Sequence, residues 1–332
     1  MSTTSKSPRK VALVALRVAK DALPEYAHRF SPKKFTQGQL FACLVLKEFH
    51  HTDYRGIAAI LADNSDLQRT LGLCKVPHFT TIQKAAARLL GKAAVSRLLD
   101  ATVRLAGRRR TPGRRRIELT AMDSTGFEAH HVSHYFVRRR AQGSDKWENT
   151  TYRRFPKLAL VADCSNHMIL AATPGRGPGP DITHFESALL QAYGRGRLQT
   201  LLADAGYDAE WVHQLARDEM DIRTFIPAQI GRPTDKRPSG HYRAWMAAHL
   251  EQTRYTQRWQ VETVASMIKR RLGSAVNARS YWSQSRALML KAVTHNILIL
   301  LRALLALCAL AKRGFLQSMT VPIYYRAAKN RK

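Results

Sequence analysis

A mixed α/β protein preceded by a small all-helical domain is the fold class that this 332-residue sequence predicts. Three observations carry that expectation. Residues 1–106 hold apolar positions at helical spacing, with almost no strand signal. An arginine-rich break, GRRRTPGRRR at 107–116, follows. Beyond it the order is strand, hairpin pair, helix, strand, helix, strand and further helices.

The front domain opens with a basic arm over residues 1–35, broken by Pro8, Pro24 and Pro32 and carrying one helix at Val11–Ala22. Thr36 is placed to cap a helix over Gln37–His50. Asp53 caps a second helix through Leu61, and Asp66 starts a third through Leu71. Thr80 or Thr81 opens a fourth, and Val95–Leu105 is a fifth. A helix-turn-helix within 53–91 and an ordinary helical bundle are equally compatible with this pattern. The second domain spans 117–312. Strands are expected at Ile117–Met122, Leu158–Ala162, Met168–Thr173, Leu198–Ala203 and Ile222–Ile226. Asp181 and Asp208 are placed to cap helices through Tyr193 and Arg217. Helices at Trp245–Leu250, Arg254–Leu272 and 284–310 follow, and 313–332 form a basic tail.

Composition narrows the partners. Fifty-four Lys and Arg face 24 Asp and Glu, a net charge of +30. That excess points to a polyanion, either nucleic acid or an anionic membrane surface. The most apolar stretch, Ile297–Leu310, holds Arg302 and follows Lys291 and His295, which argues for a core helix over a membrane span. The four cysteines lie far apart with no CxxC pair, so neither a zinc site nor a disulfide framework is expected, and a reducing cytoplasm fits. His130, His131 and His134 lack a further Cys or His at ligand spacing and read as a solvated or DNA-facing loop. The arginines Arg138, Arg139, Arg140, Arg153 and Arg154 in the same long loop are candidate phosphate contacts.

The stretch Tyr255–Lys269, YTQRWQVETVASMIK, reads as one helix. At about 100° per residue, Tyr255, Arg258, Glu262 and Lys269 share an arc of roughly 60°. Val261, Ala265, Ile268 and Leu272 form an apolar stripe beside it. Taken alone, Glu262 reads first as the partner of Arg258 at i, i+4 on a solvated face, with metal binding as the other reading. Asp123 and Asp204, however, each end an apolar strand, where ligands of α/β sheets gather. Two acids there call for a cation between them.

Together, Asp123-Ser-Thr-Gly, Asp204-Ala-Gly-Tyr-Asp and Tyr255-x2-Arg258-x3-Glu262-x6-Lys269 resemble the DDE transposases of bacterial insertion sequences, in the group with the Tyr-Arg-Glu-Lys signature. The resemblance covers about 117–300 and includes Lys157, Asp181 and Asn296. It implies an RNase H-like catalytic core. Only 57 residues separate Asp204 from Glu262, which matches the compact, insertion-free subgroup. It further implies that Asp123, Asp204 and Glu262 bind two Mg²⁺ ions, with Mn²⁺ as a substitute. Tyr255, Arg258 and Lys269 would grip phosphates at the element end. The implied partners are double-stranded DNA, as terminal inverted repeats and target, and further copies of the chain, a dimer in the synaptic complex. The implied setting is the prokaryotic cytoplasm, at the nucleoid when DNA is bound. An RNase H-like nuclease without strand transfer and a non-enzymatic DNA-binding regulator are the alternatives.

Overall fold

The computed structural model describes residues 5–30, 32–107, 116–129, 154–228 and 238–319, with side chains described as far as Leu304. The expected linker therefore falls almost wholly outside the described residues. So do His130, His131, His134, Arg138, Arg139, Arg140 and Arg153.

Six helices open the chain: α1 (Pro8–Ala22), α2 (Gln37–Phe49), α3 (Tyr54–Asp63), α4 (Ser65–Leu71), α5 (Phe79–Leu89) and α6 (Lys92–Ala106). Thr36 caps α2 through a complete capping box with Gln39. Asp53 caps α3 by accepting from Gly56 N at 2.7 Å. Two caps differ from expectation. Asn64, not Asp66, caps α4, and His78 caps α5 ahead of Thr80. The expected loose arm is also corrected. Val11, Ala12, Ala15 and Val18 are fully buried, because their spacing gives α1 one apolar face that packs on α2 and α6.

The two-residue strands β1 (Arg116–Ile117), β3 (Glu128–Ala129), β6 (Arg197–Leu198) and β9 (Ala275–Val276) lie outside the central sheet, which contains β2 (Thr120–Gly126), β4 (Phe155–Asp163), β5 (Ile169–Gly177), β7 (Thr200–Ala203) and β8 (Arg223–Phe225). Its order is β5-β4-β2-β7-β8. The first three strands are antiparallel neighbours, and β7 and β8 run parallel to β2. This mixed sheet, flanked by helices, is the RNase H-like arrangement. β4 is buried along nearly its whole length, as a central strand covered on both faces must be. Helix α7 (Phe185–Tyr193) packs on β4 and β5. Helix α10 (Trp259–Leu272) packs on β2 and β4 through Val261, Val264, Ile268 and Leu272. Val264 thus takes the place foreseen for Ala265.

Two further expected caps do not form. Asp181 begins a 3₁₀ turn and pairs with Lys157 instead. Asp208 is ion-paired with Arg243 at 2.7 Å, ahead of α8 (Glu210–Gln214). That pair and the backbone bonds to Glu210 tie α9 (His241–His249) to α8.

The last helix, α11 (Tyr281–Met319), is the organising strut. It contacts α1, α2, α5 and α6 as well as β4 and β5, so one apolar cluster runs from Val11 to Leu301. Tyr281–Leu304 is long and apolar enough to cross a membrane by length and composition, contrary to the shorter stretch read from sequence. Here 78% of its most apolar window is buried inside the protein, which marks it as a core helix of this fold. Three of its buried polar residues find partners in other elements. Asn296 accepts from Ile169 N and donates to Ile169 O and Thr102 Oγ1, at 2.8, 2.9 and 3.0 Å. His295 donates from Nε2 to His167 O at 2.9 Å. Lys291 reaches Glu48 at 2.7 Å, within a buried cluster with Lys47.

Burial holds the pKa of His295 down to about 4, and that of His213, beside Thr224, down to about 4 as well. Both imidazoles fold neutral, and His295 Nδ1 has no hydrogen-bond partner. The unfolded chain takes up these protons near pH 6.5, so it binds more protons than the native state below that value. Stability should be full above about pH 6.5 and fall steadily toward pH 4. Thermal unfolding of wild type and His295→Gln across this range checks it. The variant should lose less midpoint temperature on acidification, and identical slopes would contradict neutral burial.

Candidate active site

The register of two parallel strands creates the site. β2 pairs with β7 through Thr120↔Leu201, Ala121↔Leu202 and Met122↔Ala203. Asp123 and Asp204 are the next residues on each strand. They leave the sheet side by side, about one strand spacing of 4.8 Å apart in backbone. β7 ends there, whereas β2 continues to Gly126 against β4. Asp123 therefore sits within a strand, not at its end as the sequence suggested. Its position opens because its parallel neighbour stops.

Each aspartate is oriented by a backbone N–H. Asp123 Oδ1 accepts from Ser124 N at 2.7 Å. Asp204 Oδ1 accepts from Gly206 N at 3.0 Å, capping the 3₁₀ turn Ala205–Tyr207. A Cβ at Gly206 would stand 3.1 Å from that same oxygen, so glycine allows the close turn. The buried Tyr207 closes the base of the site, its hydroxyl 3.1 Å from Ser124 Oγ. This tie between the two strand ends escaped sequence reasoning, because the pairing depends on register.

Tyr255–Arg258 forms a 3₁₀ turn and α10 starts only at Trp259, which corrects the single helix read over Tyr255–Lys269. The turn still turns its polar residues to the carboxylates. Arg258 lies 3.8 Å from Asp123 Oδ2 and is ion-paired with Glu262, in the first turn of α10. Tyr255 lies beside Arg258, and burial raises its phenol while the guanidinium works against that. Lys269 stands farther along α10, with Nζ 5.5 Å from the centre of the Phe127 ring. Asp123, Asp204, Glu262, Arg258 and Tyr255 thus converge, and Lys269 lies beyond them. Arg154, the one described member of the arginine clusters, is exposed just before β4.

The electrostatics are those of a crowded acid site. Burial pushes the Asp123 carboxyl up to about 6, and neighbouring Asp204 and Glu262 add to that against the Ser124 N–H and Arg258. Asp204 is raised for the same first reason, burial. Lys157 lowers it and Asp181 raises it, so this ion pair beside the site bears on it. The donor set suits a hard divalent cation. All three side chains offer oxygens, and both aspartates keep Oδ2 clear of backbone bonds. Among the described residues no three His, Cys, Asp or Glu side chains are arranged to hold an ion, and Glu262 is ion-paired with Arg258.

A cleft of about 860 Å³ opens between α2, α3 and α5 on one wall and the 272–291 region on the other. Lys84, Arg279 and Arg286 line it, alongside the paired Lys47, Glu48 and Lys291. Sequence reasoning did not single out these three cations, which come from segments about 195 residues apart and carry no local motif.

No curated protein matches the chain. The family described as the transposase DDE domain matches residues 114–297, more than half of the sequence. That span holds Asp123, Asp204, Glu262 and the whole central sheet. The chain belongs to the DDE transposases, enzymes that act on DNA and generally use divalent metal ions.

Proposed function

We propose that this protein is the transposase of an insertion sequence, which cleaves DNA at the element's ends and joins the freed 3′ hydroxyl to target DNA. Within the family it fits the compact group with the Tyr-Arg-Glu-Lys signature. The observation that carries this reading is the side-by-side exit of Asp123 and Asp204, set by Met122↔Ala203, with Glu262 brought over them by α10. The sheet supports an enzyme better than a DNA-binding regulator, for which three clustered carboxylates would repel the ligand.

In this reading Asp123, Asp204 and Glu262 hold two Mg²⁺ ions. When bound, such ions activate the attacking oxygen and stabilise the leaving one. The chain's own residues do the rest. Asp123 and Asp204 are held by Ser124 N and Gly206 N, so their free oxygens need little reorganisation. Arg258 offers a planar fork for a phosphate, and Tyr255 steadies it. Lys269 serves a neighbouring phosphate, about 10 Å from Glu262 along the helix axis. Arg138, Arg139, Arg140, Arg153 and Arg154 add phosphate contacts that position DNA without reading its sequence. The front helical domain, 1–106, grips the element ends, and the linker 107–116 tracks the backbone between it and the catalytic domain 117–312. Two ends must meet for joining, so the working form is an oligomer, a dimer in the synaptic complex. Its setting is the prokaryotic cytoplasm, on DNA.

Asp123→Ala, Asp204→Ala and Glu262→Ala should each abolish Mg²⁺-dependent nicking and leave duplex affinity intact, since each removes a metal ligand and no cation facing phosphate. Nicking and gel-shift assays run in parallel check this. Normal nicking by any one variant removes that residue from the set.

Lys269→Ala should keep some first-strand nicking and lose strand transfer more severely, because its proposed task is to retain the cut end. Strand transfer from a pre-nicked end, compared with nicking at fixed salt, is the measurement. Equal impairment of both steps, or of neither, contradicts end-holding. A wild-type enzyme that nicks and never joins would instead be a nuclease.

Duplex affinity should fall steeply with salt. Replacing Lys84 and Arg286 together by Gln should reduce the log–log slope by roughly 2 if both cleft cations neutralise phosphates. An unchanged slope would take the cleft out of the DNA path.

A further inference from the structure

We propose that Arg258 is an internal competitor of the divalent ion, holding Glu262 and Asp123 until an external anion draws its guanidinium away. The inference rests on the reading of Asp123, Asp204 and Glu262 as metal ligands and adds a control on when they bind.

The geometry carries the argument. Arg258 is ion-paired with Glu262 and stands 3.8 Å from Asp123 Oδ2. It therefore lies between two of the three carboxylates. A divalent ion needs those oxygens at about 2.0–2.6 Å, within the space that the guanidinium fills. The two cations cannot be satisfied at once. No other described cation takes this place. Lys157 is paired with Asp181 and bonded to Gly179 O. Lys269 faces the Phe127 ring.

Arg258 is also built to leave. It ends a 3₁₀ turn, and the Glu262 carboxylate that holds it is 51% exposed, so solvent weakens the pair. The guanidinium is held by those two carboxylates, Glu262 closely and Asp123 at 3.8 Å. A guanidinium gives up carboxylates readily for a phosphate, which matches its fork equally well. DNA is the phosphate source that this enzyme meets. A phosphate that takes Arg258 would free Glu262 for the ion, and the ion would in turn favour Arg258 on phosphate. Such coupling is reciprocal by thermodynamic necessity. The carboxylates would then load metal chiefly where DNA is engaged, which keeps an idle transposase inert. Arg258 acts here through Glu262, as a positioning residue.

Calorimetric titration with Mn²⁺ alone, without DNA, tests this on the full-length protein. Arg258→Gln removes the competing charge and should bind Mn²⁺ about two- to fivefold tighter than wild type, the scale of a half-exposed charge pair. Arg258→Lys keeps the charge without the fork and should fall between the two. Asp123→Asn should weaken binding in both the wild-type and the Arg258→Gln background. Equal or weaker Mn²⁺ binding by Arg258→Gln, with Asp123→Asn still damaging, overturns the competition and leaves the metal assignment standing. Mn²⁺ binding indifferent to Asp123→Asn overturns the metal assignment, and the competition falls with it. Should Arg258→Gln fail to fold, as judged by its thermal transition, Arg258→Lys decides alone: tighter binding than wild type supports the proposal, and equal or weaker binding overturns it.

Discussion

The constraint on which the site depends is the parallel pairing of β2 with β7. Backbone hydrogen bonds over Thr120–Met122 and Leu201–Ala203, with fully buried Ala121, Met122, Leu201, Leu202 and Ala203, leave these strands no freedom of register. A slip by one residue would turn Asp123 to the opposite face of the sheet from its present one. Two carboxylates a strand spacing apart repel by about 3 kcal/mol at the effective dielectric of a partly buried site. Only a stiff apolar support keeps them there. Burial is the main cause that pushes the Asp123 carboxyl up to about 6, and the charges of Asp204 and Glu262 add to it.

The third carboxylate is held by another part of the core. Glu262 reaches the site only because α10 lies on β2 and β4 in one rotational setting, fixed by Val261, Val264 and Ile268. The β4–β5 turn reinforces it. His167, with φ 63°, is hydrogen-bonded to Gln260 at 2.7 Å and accepts from His295 through its carbonyl. Asn296 pins the start of β5 and reaches Thr102 of α6. Helix α11 thus ties the catalytic sheet to the front helices. The front region is not a loosely attached module but shares one core with the sheet.

Much of this was legible in the sequence because it was local. Capping at Thr36 and Asp53, the hairpin around Asp163–His167 and the strand before Asp204 follow from patterns a few residues long. Asp123, Asp204 and Glu262 stood out through spacing and motif, and the fold brings them together. What the sequence hid was non-local. Asp181 and Asp208 had the look of helix caps, yet Lys157 and Arg243 outbid the helix N–H groups by offering full opposite charge. The helical stripe through Tyr255 and Arg258 failed because the first turn is 3₁₀, although the side chains reach the same place. The bond between Tyr207 and Ser124, and the gathering of Lys84, Arg279 and Arg286, need strand register and helix packing that no short motif encodes.

Carboxylates that must meet a polyanion face a contradiction unless something cationic stands with them. The chain as a whole carries +30, which draws DNA from a distance but is screened beyond about 10 Å in salt. At the site itself the compensation has to be local, and Arg258 is the cation that provides it between Asp123 and Glu262. A residue so placed cannot be neutral toward a divalent ion. Its guanidinium matches carboxylate and phosphate alike, so the same side chain can shield the acids from one another and then meet the incoming strand. The burial of Asp123 raises the stakes, because an ion entering there gains more from a desolvated carboxylate than from one in water. The site is therefore poised between two cations. Which of them holds Glu262 is set by the anion that approaches, and the +30 surface selects DNA as that anion.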